Sequence, residues 1–122
     1  MKILTVDGKE DYGEYGNARC PHCGALGRYV YRFTYEDGSK GGAMAGCIKT
    51  IARSPLAIEA QRILDKESEY SSKGWSLPSW DIKIKEIIES FKDGKLSLSQ
   101  AQTFVNDQKK KAADYRKRNR RW

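Results

Sequence analysis

Cys20-Pro21-His22-Cys23-Gly24, answered much later by a lone Cys47, is the stretch on which the fold turns. A C-x-x-C turn brings two thiolates to one point and faces backbone amides toward the sulfurs. A tetrahedral structural metal takes four such ligands from thiolates and imidazoles. Pro21 fixes φ after the first cysteine, and Gly24 permits the positive φ at which the chain leaves the turn for a strand. Cys47 offers a third thiolate. A thioredoxin-like dithiol would open a helix after a buried strand, whereas here a strand follows the turn.

The CPxCG pattern resembles the metal knuckle of zinc ribbons and treble-clef fingers, over about residues 18–50. The resemblance implies zinc held by Cys20, Cys23 and Cys47 in a small β-hairpin module. A ribbon would place its second pair at 44 and 47, where this chain has Met44. A treble clef would place it at 47 and 50, where the chain has Thr50. Neither Met nor Thr is a usual zinc ligand. The fourth ligand stays open between His22, Asp37, a water and a group from another chain. His22, the single histidine, lies between the knuckle cysteines, where the turn directs side chains away from the metal. Three reduced thiols without a metal are the plain alternative.

Working outward, residues 1–6 read as a strand burying Ile3, Leu4 and Val6 and ended by an Asp7-Gly8 turn, with residues 9–19 a loop. From Gly27 to Glu36 the alternation puts Tyr29, Tyr31, Phe33 and Tyr35 on one face, for core packing beneath a helix or, alternatively, for base stacking. Arg28, Arg32 and Lys40 would then extend a basic surface. Asp37 to Gly42 is a hairpin signal that returns the chain to Cys47. Ser54-Pro55 starts a helix with Leu56, Ala60, Ile63 and Leu64 on one face. Residues 71–80 break it, and Trp75 and Trp80 are expected to anchor that corner. Ile84, Ile87, Ile88 and Phe91 mark a second helix, closed by Asp93-Gly94. Ser97 and Ser99, each with a glutamine three residues on, mark the start of a third, whose apolar positions Ala101, Phe104 and Val105 run out near Asp107. The fold expected is α+β: a β-hairpin zinc-ribbon-like module over 1–53, then two or three helices over 54–108, then a basic arm over 109–122.

Charge sharpens this division. The net +7 sits entirely in residues 109–122, which hold eight of the 23 Lys and Arg and one of the 16 acids, leaving fifteen of each in the first 108. Such a run releases counterions from a phosphate backbone and yields salt-sensitive, sequence-tolerant binding. Lys109, Lys110, Lys111, Arg116, Lys117, Arg118, Arg120 and Arg121 are the expected phosphate contacts, with Trp122 and Tyr115 stacking on bases. Anionic membrane is a poorer partner for an arm with so few apolar residues.

No apolar stretch approaches the roughly twenty residues that span a bilayer, and the first ten residues lack a signal peptide's apolar core. Three cysteines, an odd number, are no disulfide framework, so a reducing, cytoplasmic setting is expected. One histidine, no P-loop and no serine-nucleophile motif leave the usual catalytic constellations unfilled, so no catalytic residue is assigned. The expected role is a zinc-binding accessory or regulatory protein on DNA or RNA. The rival is an interaction module, such as a viral or phage inhibitor or adaptor that grips a host enzyme through its helical hairpin.

Overall fold

Ile3–Asp11 forms β1, and β4 (Tyr29–Tyr35) lies antiparallel between it and β5 (Lys40–Ala43), giving the order β1-β4-β5. The computed structural model describes residues 2–16 and 18–118. Its architecture is α+β, an amino-terminal sheet followed by helices. A second, two-stranded ladder pairs β2 (Ala18–Arg19) with β3 (Leu26–Gly27). The helices are α1 (Ala45–Ile48), α2 (Pro55–Ser72), α3 (Ser79–Lys92) and α4 (Leu98–Arg118). Two compact units emerge, Met1–Asp65 and Lys66–Trp122, and the division falls within α2.

In the first unit the sheet is longer than its sequence promised. Asp7-Gly8 is not a turn: β1 continues to Asp11, and the pairing with β4 shifts register between Val6 and Gly8. Gly8 is absent from the glycines with positive φ, the conformation an Asp-Gly hairpin turn needs. Asp7 instead accepts hydrogen bonds from Thr5 Oγ1 (2.9 Å) and Thr34 Oγ1 (2.6 Å), which settle it as a bulge in the ladder. The expected loop over 9–19 is therefore strand at 9–11 and again at Ala18–Arg19. The true turn is at Gly38, φ +87°, where Tyr35 N–H donates to Ser39 O at 2.8 Å and closes the β4–β5 hairpin.

Tyr31 and Phe33 are buried, the core role preferred for that face, while Tyr29 and Tyr35 are half-buried. Phe33 and Tyr35 meet edge to face at 5.2 Å. Val30, on the opposite face, is buried too. Ser54 caps α2, its Oγ accepting from Ala57 N–H (3.0 Å) and donating to Leu4 O (2.6 Å), so the cap also ties the helix to β1. Further along α2, Asp65 accepts from the Tyr31 hydroxyl and pairs with Lys9 at 3.1 Å.

In the second unit α3 and α4 form a helical hairpin with Ile84, Ile88, Ala101 and Val105 buried. Asp93 and Gly94 (φ +78°) end α3 as read. Ser97 and Gln100 make the reciprocal capping box: Ser97 N–H donates to Gln100 Oε1 at 2.9 Å and Gln100 N–H to Ser97 Oγ at 3.1 Å. The third helix does not run out near Asp107. It continues to Arg118 because Ala112 is buried, on the same stripe as Ala101 and Val105.

Candidate metal centre and cationic helix

The knuckle grows out of the β2–β3 ladder. Cys20 N–H donates to Ala25 O and Gly24 N–H to Cys20 O, both at 2.8 Å, closing a tight loop that Gly24 leaves at φ +77°. Cys47 sits inside α1, whose single turn is started by Cys47 and Ile48 N–H groups donating to Met44 O. The β4–β5 hairpin delivers that turn back to the knuckle. The Sγ atoms of Cys20, Cys23 and Cys47 all lie within 4.8 Å of one another. Sulfurs sharing one tetrahedral zinc stand about 3.8 Å apart, so the three already border the space one ion would occupy.

Burial alone would push the Cys20 thiol up, but amide donors outweigh it. Met44 N–H points at Cys20 Sγ (3.3 Å), the amides of Cys23 and His22 add to it, and the thiol is brought down to about 6. Cys47 moves the other way. Its hydrogen bond with Cys23, then burial, then the bond to Cys20 and the neighbouring thiolate charges push it up to about 12. The fit to a thiolate-held metal is therefore good at Cys20, whose anion is already solvated by backbone. Cys47, whose thiol is pushed up, would gain comparable support from a shared cation.

No fourth ligand is shown. Among the described residues, no histidine or carboxylate joins the group, His22 and Asp37 included. His22 is exposed. Asp37 accepts from Ser39 N–H (3.0 Å) and Oγ (2.6 Å), hydrogen bonds that lower its pKa and hold it in the hairpin turn. Thr50 spends its hydroxyl on Cys47 O at 2.7 Å. Met44 packs on Gly27, where an added Cβ would meet its Sδ at 2.5 Å. That approach explains a glycine at position 27 better than any turn requirement.

The expected basic arm is, as far as it is described, helix. Lys109, Lys110, Lys111, Arg116, Lys117 and Arg118 are all exposed on α4, in pairs seven residues apart. Each pair recurs after two helical turns, on one ridge. Lys111 pairs with Asp107 at 3.2 Å. Arg120, Arg121 and Trp122 lie outside the described residues. Arg28, Arg32 and Lys40, expected to extend a basic surface, each stand beside an acid instead. Across the sheet, Arg28 holds Asp11 by two bonds (2.8 and 3.0 Å), Arg32 holds Glu10 (2.7 Å) and Lys40 stands 3.8 Å from Asp7. The Arg28 hydrogen bonds, with a bond from Gly13 N–H, bring Asp11 down to about 2.

One grouping escaped the sequence reading. Trp80 of α3 and Tyr115 of α4 stand 5.9 Å apart, and the Arg116 guanidinium lies 5.9 Å over the Trp80 ring. The signal was available: Ala101, Val105 and Ala112 repeat at helical spacing, and extending that stripe brings positions 115 and 116 to the same side. Compared with known proteins, the chain matches no family model, no curated protein and no solved structure. No helix among the described residues is long and apolar enough to cross a membrane.

Proposed function

We propose that this chain is a small zinc-binding accessory or regulatory protein that attaches to DNA or RNA through α4. The observation that carries the reading is a contrast between two surfaces. Cations on the sheet are matched by acids across the strands, while α4 exposes six Lys and Arg along its last turns against Asp107 and Asp114. A polyanion is the partner that a helix with six cations to two acids over this length serves.

The metal reading rests on the three converging thiols. Their softness favours zinc over magnesium or calcium, with a water or an outside group completing the tetrahedron. Cys47 lies on a helical turn after a hairpin, with Thr50 three residues on, so the arrangement is closer to a treble clef than to a ribbon.

Binding to a labelled oligonucleotide over a range of salt tests the first claim. Lys110→Gln combined with Lys117→Gln is expected to lower the slope of log K against log salt by about 1.4–1.8, two phosphate contacts' worth. An unchanged slope and affinity would remove α4 as the contact surface. Cutting the chain after Gln108 is the poorer experiment, because it also deletes the buried Ala112. The zinc claim is tested by native mass spectrometry, with one ion per chain expected and none in Cys47→Ser.

A second reading has one observation in its favour. Ile82 on α3 and Phe104 on α4 are 43% and 47% exposed on a helical hairpin, an apolar offering suited to a protein partner. If the charge variants leave nucleic-acid affinity untouched, this interaction-module reading takes precedence.

A further inference from the structure

We propose that Trp80 and Tyr115 form a stacking platform for unpaired bases, so that the ligand of α4 is a single strand, not a duplex. This rests on the nucleic-acid reading above and adds the class of nucleic acid to it. Trp80 is half-buried at the start of α3, with the Tyr115 ring and the Arg116 guanidinium each 5.9 Å from its ring. It is a fixed wall. Tyr115, by contrast, is 56% exposed, leaving ring surface uncovered at the most cationic point of the described chain.

The charges around that ring are placed for a sugar-phosphate backbone. Lys111 lies four residues before Tyr115 and Arg118 three after it, so both neighbour it on one face of the helix. A base stacked on Tyr115 would have a cation available on either side along its own strand. The Lys111 pair with Asp107 does not compete, since both side chains are more than half exposed and such surface pairs hold weakly. In a duplex the base faces are stacked on one another and only the phosphates are offered. A helix selected for duplex alone gains nothing from an exposed ring here, whereas base–aromatic stacking contributes strongly and with little sequence preference on single strands.

Trp75 provides the internal comparison. It is as exposed as Tyr115, at 58%, and carries Lys73 at 4.8 Å over its ring, yet it lies before α3 and away in sequence from the α4 cations. The experiment uses the full chain and fluorescence anisotropy with labelled oligo-dT, oligo-U and a hairpin duplex of equal phosphate number, at fixed salt. The wild type should favour the single strands. Tyr115→Ala should cut the single-strand to duplex affinity ratio by about tenfold, Tyr115→Phe should keep it, and Trp75→Ala should leave it alone. The two single-strand arms separate a DNA ligand from an RNA one. A wild-type ratio near one, or a ratio that Tyr115→Ala does not move, would overturn the platform while leaving α4 a general phosphate binder. Absence of binding to all three probes would sink the nucleic-acid reading itself.

Discussion

At the scale of single residues, the fourth ligand position separates the two finger geometries. Thr50 stands one turn after Cys47 in sequence and uses its hydroxyl only on the Cys47 carbonyl, whereas Met44 has its side chain packed on Gly27 and its amide on Cys20 Sγ. Thr50→Cys is therefore expected to tighten zinc at least tenfold in a chelator competition, and Met44→Cys to give no such gain. The reverse ranking would mean that the site closes as a ribbon. Tyr31 makes a second case. Burial, and then its hydrogen bond to Asp65, raise its pKa above the ordinary 10. The folded state thus holds the phenolic proton more tightly than the unfolded one. Stability from this group is fully present below pH 10 and declines as pH rises beyond it, by about 1.4 kcal/mol per pH unit once only the unfolded chain ionises. Urea unfolding of wild type and Tyr31→Phe at pH 8 and 11 checks this, the variant losing less of its stability over that interval.

At the scale of elements, caps distinguish a helix end that is merely closed from one that is tied in. Ser54 is buried and its hydroxyl serves both α2 and β1, while Ser97 is exposed and serves only α4. Ser54→Ala should cost about 2 kcal/mol and Ser97→Ala about 1 kcal/mol by urea unfolding. Equal losses would deny the bridging role. These starts were legible because capping chemistry is local, as were the Asp37–Gly42 hairpin and the meeting of Cys47 with the knuckle. Asp7-Gly8 was not, because whether that pair turns or bulges depended on Thr34, a residue on another strand. The length of α4 was missed for a similar reason. Ala112 looks like one small residue in a charged run until its burial is seen. Arg28, Arg32 and Lys40 misled because charge counted along a chain does not show which acids lie across the ladder.

At the scale of the molecule, the thiol cluster adds only Cys20 to the core, which other residues supply. Of the largest fully buried side chains only Ile48 belongs to α1, the turn that carries Cys47; the others, among them Phe33, Ile3, Leu56 and Ile84, belong to the sheet and the long helices. Chelation is expected to leave the far-ultraviolet circular dichroism largely intact and to lower the unfolding midpoint by about 5–10 °C. Loss of secondary structure on chelation would instead make the metal a condition of folding. The acid–base pairs across β1, β4 and β5 have a further, kinetic effect. By cancelling charge over the sheet they leave the net +7 to residues 109–122, and under the nucleic-acid proposal charge concentrated in this way would steer an approaching polyanion toward that segment. Productive encounters would then become a larger share of collisions, and added salt is expected to slow arrival more than it hastens departure, which stopped-flow association at two salt concentrations checks.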